Sequence, residues 1–323
     1  MFSGRSNKLL ALAIPAHNEE KFIRKAVESA LNQETPNGFY VKVVVAANSC
    51  NDRTEEIVNH LSEIYPNKVD LISMEEKGKT KAINKMIKYF EQISNNDLPI
   101  PYVIFLDADC EFVGKEVLIN FIKRFEQNPQ LCAVAADCVP DVFFEERKDM
   151  IAEVYRATYG LGELLKINSI SGMCYGIRFE FLKKIYFPDF QLAEDMYVSS
   201  RLDGRFLKDR NSKIIFKTPS NLINEINRRT RQEISTQRFH EYYSYLKKKG
   251  VKVKLFEESL GTEYEWGATD GDVLKAWVNL KGARSKIFVF LYYLIRVYSR
   301  MKAHGRFKKL QENEDLDYWR VLR

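Results

Sequence analysis

Histidine and cysteine are scarce in this chain, with four and five copies among 323 residues. An odd number of cysteines without paired spacing argues against a disulfide framework and fits a reducing compartment. Cys132 and Cys138 lack the spacing of zinc ligands and the histidines are scattered, which argues against a zinc site. Long apolar runs are missing too. The longest candidate, Ile287 to Ile295, is nine residues and ends on Arg296, far short of the ~20 that a spanning helix needs. Leu9 to Ile14 is too short for the apolar core of a signal peptide, and the residues before it are polar. Internal repeats and low-complexity segments are also lacking. These absences predict a cytoplasmic protein and leave open a peripheral position on the inner face of a membrane.

What is present is enough apolar content, 45%, for one large core or two fused ones. The formal charge is +6, and its distribution matters more than its size: residues 281–310 carry nine Lys or Arg and no acid. Such a segment makes an anionic partner plausible, either a membrane surface, a phosphate-bearing lipid or a nucleic acid.

The first half alternates as an α/β sheet does. Strands are predicted over Leu9–Ile14, Val41–Ala46, Val69–Ser73, 102–106 and 132–138. Helices are predicted over 19–32, from Asp52 to about Tyr65, over Lys79–Ile93 and over 115–127. Asp52 and Glu55 have capping-box spacing. The pattern predicts a doubly wound, nucleotide-binding sheet. Beyond about residue 142 longer helices are expected, over 142–166 and 219–249, then a mixed-charge linker over 250–272 and the basic, aromatic stretch 273–310. The expected division is a catalytic domain over 1–218, with a nucleotide-sugar half (1–140) and an acceptor half (141–218), followed by a helical basic region over 219–323.

One run carries more chemistry than any other. Tyr102-Val103-Ile104-Phe105-Leu106 reads as a buried parallel strand, yet it leads straight into Asp107-Ala108-Asp109. Buried runs do not ordinarily end on two carboxylates, because buried charge must be paired or metal-bound. At the carboxyl end of a parallel strand the pair would lie where α/β sheets bind ligands. Hard oxygens there suit Mg²⁺ or Mn²⁺ bridging to a diphosphate. The competing reading is that one Asp caps a helix beginning near Gly114.

Five further motifs accompany it: Ile14-Pro15-Ala16-His17-Asn18-Glu19-Glu20, Ala47-Asn48-Ser49-Cys50-Asn51-Asp52-Arg53-Thr54, Gly78-Lys79-Thr80-Lys81-Ala82-Ile83-Asn84, Ser171-Gly172-Met173-Cys174-Tyr175-Gly176-Ile177-Arg178, and Glu194-Asp195. In this order, over roughly residues 8–205, the six resemble the inverting GT-A glycosyltransferases of family 2. The resemblance implies an α/β GT-A fold with a helical C-terminal extension, and a metal-dependent transfer from a nucleoside-diphosphate sugar to an acceptor hydroxyl. It implies a donor site at Pro15, His17, Asn18, Glu19, Asn48, Asp52, Lys79, Asp107, Ala108 and Gly172. Asp109 and Asp107 would bind Mn²⁺ or Mg²⁺, with His240 as a third ligand. Asp195 matches the family's catalytic base, and Glu194 beside it would orient the acceptor. Where the family usually carries an Asp on the nucleobase this chain has Asn48, whose donor and acceptor still suit a uracil or guanine edge. Asn48 thus leaves the donor base open; a UDP-sugar is favoured, with a GDP-sugar as the alternative.

From the residues themselves, His17 suits a structural hydrogen bond better than proton transfer. Lys79 is one candidate cation for the phosphates, and Arg228, Arg229 and Arg231 form another, on phosphate or acceptor. Gly172 and Gly176 would let backbone approach the sugar. The acceptor expected is a glycan or lipid-linked glycan of the kind used in bacterial cell-surface assembly. Two other readings stay open. A nucleotidyltransferase would want a glycine-rich basic loop where Ala16–Glu20 is acidic. A nucleic-acid-associated protein, or a glycosyltransferase of DNA bases, would use the basic 281–310 segment.

Overall fold

The computed structural model describes residues 8–96, 98–159, 170–190, 193–249, 270–280 and 282–312. The chain divides into two compact units. The first comprises Met1–Val139, Ile170–Asp195 and Gly204–Phe216, the second Pro140–Ser169, Met196–Asp203 and Lys217–Arg323. This differs from the boundary expected at 218, because the segment after Val139 belongs with the C-terminal helices.

The first unit is built on an eight-stranded sheet in the order β3-β2-β1-β4-β7-β6-β8-β5. Its strands are β1 (Lys8–Ala16), β2 (Phe39–Asn48), β3 (Val69–Met74), β4 (Tyr102–Leu106), β5 (Cys110–Phe112), β6 (Ala133–Pro140), β7 (Cys174–Arg178) and β8 (Phe206–Phe216). Four strands, β1 to β4, run parallel, joined by α1 (Ile23–Leu31), α2 (Thr54–Ile64) and α3 (Lys79–Asn96). Strand β1 lies between β2 and β4, and all but its first residue are buried, which is why it reads as one unbroken apolar run. Helix α1 turns Ile23, Ala26, Val27 and Ala30 onto the core, a three-four spacing that buries one stripe.

The half of the sheet beyond β4 is not doubly wound. Strand β7 pairs antiparallel with both β4 and β6, and β5 pairs antiparallel with β8. Most of Ser171–Arg178, where glycine backbone was expected to approach the sugar, is therefore strand. Gly176 faces Ile104 in the ladder, and a Cβ there would come within 2.9 Å of the Phe121 ring on α4 (Val117–Gln127). It is small for helix-on-sheet packing and not for sugar approach. Strand β5 separates the two aspartates from α4, so neither caps that helix. Helix α1 starts four residues later than expected, because Glu19–Phe22 form turns, and Glu19 and Glu20 N–H groups donate to Thr54 Oγ1 and Asp52 Oδ2. The Asp52–Glu55 capping box does not form: Asp52 Oδ1 accepts from Thr54 N at 3.0 Å, while Glu55 accepts from Ser73 Oγ at 2.9 Å.

The second unit is helical. After a turn of 3₁₀ helix at Asp141–Phe143 come α5 (Met150–Thr158), α8 (Leu222–Lys248), α9 (Asp270–Asn279) and α10 (Ala283–Glu312), while α6 (Phe179–Leu182) belongs to the first unit and α7 (Glu194–Leu202) begins in the first and ends in the second. Of the helix expected over 142–166, only α5 is found, and 160–169 lies outside the described residues. Most of the expected linker, 251–269, lies outside them as well. Among the described residues no helix is long and apolar enough to cross a membrane.

Helix α8 shows no apolar stripe in sequence because much of its buried face is polar: Glu225, Thr230, Ser235 and Arg238 are buried along with Phe239 and Tyr243. Glu225 is its hub, wholly buried, bonded to Arg228 Nε at 3.0 Å, to Arg229 Nε at 2.5 Å and to the Tyr155 hydroxyl of α5 at 3.0 Å. Burial pushes its carboxyl up, but Arg229 and then Arg228 outweigh burial and hold it below 4.5. Removing one partner of a buried pair strands the others, so Glu225→Ala should cost about 3–5 kcal/mol, measured by denaturant titration. A group whose native pKa is lowered contributes stability above its unfolded value and loses it on acidification through the native one. The deficit of Glu225→Ala should therefore be full at pH 7 and shrink as pH falls below about 4.5.

Candidate active site

Three loops at the carboxyl ends of β1, β2 and β3 are tied together by side chains. Asn48, 4% exposed, donates through Nδ2 to Ala16 O at 2.7 Å and accepts through Oδ1 from Gly78 N at 3.2 Å. His17 Nδ1 donates to Asn48 O at 2.7 Å, a structural bond of the kind expected for it. Asn18 holds a left-handed φ of 58°, tolerable for an asparagine, and accepts from Asn51 N at 2.9 Å. Burial raises the Asp52 carboxyl, but the Thr54 hydroxyl and the N–H groups of Glu20 and Thr54 more than offset this and hold it below its ordinary value. Asn84, last residue of the third motif, uses both ends of its amide on Phe187, donating to its carbonyl at 2.7 Å and accepting from its N–H at 3.2 Å.

Beside these loops the strand-end carboxylates meet a cation. Lys79, first residue of α3, places Nζ 2.7 Å from Asp107 Oδ1 and also against Glu194 Oε1. Burial would strip its proton, but Asp107 and Glu194 outweigh burial and hold the ammonium well above its usual range. Asp107 goes the other way: burial pushes it up to about 6, helped by Asp109 and Glu194 and opposed by Lys79. Two acids 87 positions apart in sequence are thus held on one ammonium, a grouping that strand and helix patterns do not reveal. Ala108 is buried between the two aspartates, and Asp109 is half-buried with Cys110 Sγ 3.5 Å from its Oδ1.

Asp195 follows Glu194 at the start of α7, and its Oδ2 accepts from Gly172 N at 3.3 Å. A Cβ on Gly172 would come within 2.9 Å of Glu194 Oε1 and 3.3 Å of Asp195 Cβ. Gly172→Ala should displace the acidic pair and lower kcat about ten- to a hundredfold, with donor KM nearly unchanged, since catalytic groups tolerate little misplacement. Steady-state kinetics against donor concentration would check this. Sequence reasoning missed Tyr175. It is wholly buried in β7, stacked on Phe105 at 5.1 Å, and its hydroxyl has no hydrogen-bond partner among the described residues. Burial, then Glu194, raises its pKa, with Asp195 and Asp107 adding to the effect. Its one signal in the sequence is its place inside the Ser171–Arg178 motif.

The family described as "Glycosyl transferase family 2" matches residues 11–186, more than half of the chain. The chain belongs to that family. Among its relatives, a probable glycosyltransferase YdaM of Bacillus subtilis is 35% identical over 210 residues, 60% of this chain and 46% of that protein. The glycosyltransferase AglE of Haloferax volcanii is 35% identical over 101 residues, 31% of this chain and 30% of AglE. A minor teichoic acid biosynthesis protein, GgaA of B. subtilis, is 24% identical over 104 residues, 32% of this chain and 22% of GgaA. The chain thus spans less than half the length of these relatives. Among solved structures, the mannosyltransferase PcManGT of Pyrobaculum calidifontis, in complex with GDP-Man and Mn²⁺, superposes with a TM-score of 0.53 at 16% identity, covering 97% of this chain and 78% of that one. S. aureus TarS gives 0.50 at 18% identity, covering 94% and 55%. The fold is that of the GT-A glycosyltransferases.

Four residues singled out from sequence, Arg228, Arg229, Arg231 and His240, lie on α8 of the second unit. Arg228 and Arg229 are committed to Glu225, and Arg229 also lies 4.5 Å over the Tyr292 ring. Arg231 is exposed on α8. His240 is on the same helix, edge-on to Phe239, lining a cavity of about 380 Å³ with Glu241, Ser244, Tyr245 and Lys248. Among the described residues no three His, Cys, Asp or Glu side chains form a metal cage. Two hard carboxylates at a strand end nevertheless suit Mg²⁺ or Mn²⁺, which is commonly held by one or two protein carboxylates and completed by substrate phosphates and water.

Proposed function

We propose that this protein transfers a sugar from a nucleoside-diphosphate sugar to an acceptor hydroxyl, with inversion at the anomeric carbon. The observation that carries this reading is the ion cluster Asp107–Lys79–Glu194 with Asp195 beside it, at the carboxyl end of β4. The donor, a UDP- or GDP-sugar, lies along the loops carrying Pro15, His17, Asn18, Glu19 and Asp52, whose mutual hydrogen bonds set their backbone before it binds. Asn48 shapes these loops through Ala16 and Gly78. Asp107 and Asp109 would hold a divalent cation, which would supply charge neutralisation to the departing diphosphate. His240, Arg228 and Arg229 are left out of this set.

Lys79 has two jobs in this scheme. Its ammonium fixes Glu194, and it is a cation that would face the donor phosphates. Asp195 takes the acceptor proton as the hydroxyl oxygen bonds to the anomeric carbon and the bond to the diphosphate breaks on the opposite face. Glu194, locked by Lys79, orients the acceptor, and Gly172 N–H aims the Asp195 carboxylate. A glycan or lipid-linked glycan of a cell surface is the acceptor class, supported by the teichoic acid protein among the relatives.

The test is release of nucleoside diphosphate from UDP- and GDP-sugars with Mn²⁺ or Mg²⁺, first as slow hydrolysis and then with added acceptors. Release from one donor, abolished by chelator, is expected. No release from any donor, at protein concentrations that show a folded melt, would count against the reading.

A further inference from the structure

Helix α10 has two apolar faces; one is packed, and among the described residues the other is met only at Phe290, whose ring lies 6.0 Å from that of Trp277 on α9. Val289, Ile295, Ser299, Ala303 and Phe307 are buried, and α10 lies on α8, α5 and α9, with Val289 clustered on Val273 of α9. Ile287, Phe290, Leu294, Tyr298 and Met301 remain between 43% and 69% exposed. Their spacing of three, four, four and three places them within about a quarter of the helix circumference, opposite the packed face. They form a ridge about 21 Å long at 1.5 Å per residue. A continuous ridge of large exposed side chains marks an interaction surface, where scattered ones would not.

From this ridge and the charges beside it, we infer that α10 is the face by which this protein lies on an anionic lipid bilayer. The cations decide the occupant. By helical spacing Arg284 and Lys302 border the ridge on one side and Lys286 and Arg300 on the other, and Arg306 and Lys308 continue beyond it, exposed. No acid occurs over 281–310. Arg284 pairs with Glu153 at 2.9 Å and Arg300 with Glu233 at 3.7 Å, while Lys302 donates to Asn227 at 3.0 Å and Lys286 to Val278 O at 3.3 Å; the guanidinium side chains of Arg284 and Arg300 stay 78% and 45% exposed beside their pairs, and Arg306 and Lys308 are exposed beyond the ridge. A second copy seated ridge to ridge would bring like-charged borders together, which opposes self-pairing. A nucleic acid would meet the cations but leave Ile287, Leu294 and Met301 with nothing apolar to cover them. An interface of acyl chain below and anionic headgroup above satisfies both parts, and this is the pattern of a helix lying in the membrane plane.

The surface stands on its own observations; that it delivers the site to a lipid-linked acceptor rests on the transfer reaction proposed above. The full chain should cosediment with vesicles containing phosphatidylglycerol and not with phosphatidylcholine alone, and high salt should weaken binding. Ile287→Ser/Leu294→Ser/Met301→Ser should weaken it at least about tenfold, as should Arg306→Gln/Lys308→Gln, both without change in melting or in nucleotide-sugar binding. Because a triple variant could misfold, Met301→Gln alone serves as the second probe, with a smaller loss in the same direction. Absence of binding to anionic vesicles at low salt, or equal binding by well-folded variants, would overturn the inference. So would a concentration-dependent dimer in sedimentation velocity that the ridge variants abolish. Vesicle binding without nucleotide-sugar binding would leave the surface standing and remove the transferase reading, and the converse result would do the reverse.

Discussion

Asp195→Asn should bind donor as the native protein does and turn over about 10²–10⁴ times more slowly, the loss typical of a missing general base. Asn keeps the shape of the side chain and can still accept from Gly172 N through its oxygen, the bond Asp195 Oδ2 makes at 3.3 Å. What it cannot do is take a proton from an attacking hydroxyl. Donor affinity is set by other elements, the loops after β1, β2 and β3, so a thermal shift with nucleotide sugar should be unchanged while product formation falls. The pH profile separates this from a positional effect: the native rate should lose its acid limb in the variant, whereas simple displacement would lower the rate at every pH alike. Native turnover in Asp195→Asn would move the base to Glu194.

Asp109→Asn should cost about a thousandfold or more in transfer, since cation stabilisation of a departing diphosphate is worth several kcal/mol. The residue sits half-buried beyond the end of β4 and contributes nothing to the sheet ladder, so melting should stay within about 0.5 kcal/mol of native. Removing its charge also lowers the pressure on Asp107, whose carboxyl it helps to hold up near 6. The variant should therefore bind donor more weakly with Mn²⁺ while gaining nothing from the metal, as seen by titration with and without chelator. An Asp109→Asn protein that responds to Mn²⁺ as the native protein does would place the cation elsewhere.

The parts of this protein that were legible in its sequence are those where chemistry is local. Apolar runs bounded by turn residues located β1 to β4, and a strand that ends on Asp107 and Asp109 announced itself because buried strands avoid such endings. Family order supplied the meaning of Glu194-Asp195. What was hidden depends on contacts between distant residues. Nothing in Lys79 or in Glu194 says that one ammonium holds two acids 87 positions apart. Strand β7 was absent from the predicted strands because Gly172 and Gly176 read as room for a sugar, whereas Gly176 is small to admit Phe121. The arginines of α8 looked like a phosphate site, although Glu225 stands three and four positions before Arg228 and Arg229, the spacing of intrahelical pairs. That clue was in the sequence; the burial of Glu225, which makes the pairing binding, was not.

Donor and metal binding are read together by a thermal-shift screen of UDP-, GDP-, CDP- and dTDP-sugars with and without Mn²⁺, run in parallel on the native chain and on an Asp107→Asn/Asp109→Asn variant. One donor class should stabilise the native protein, by about 2.7 kcal/mol at a hundredfold excess over its dissociation constant; Mn²⁺ should enlarge the shift, and the variant should lose the enlargement. No shift with any of the four donors, or a shift that the double variant retains in full, would contradict metal-assisted transfer.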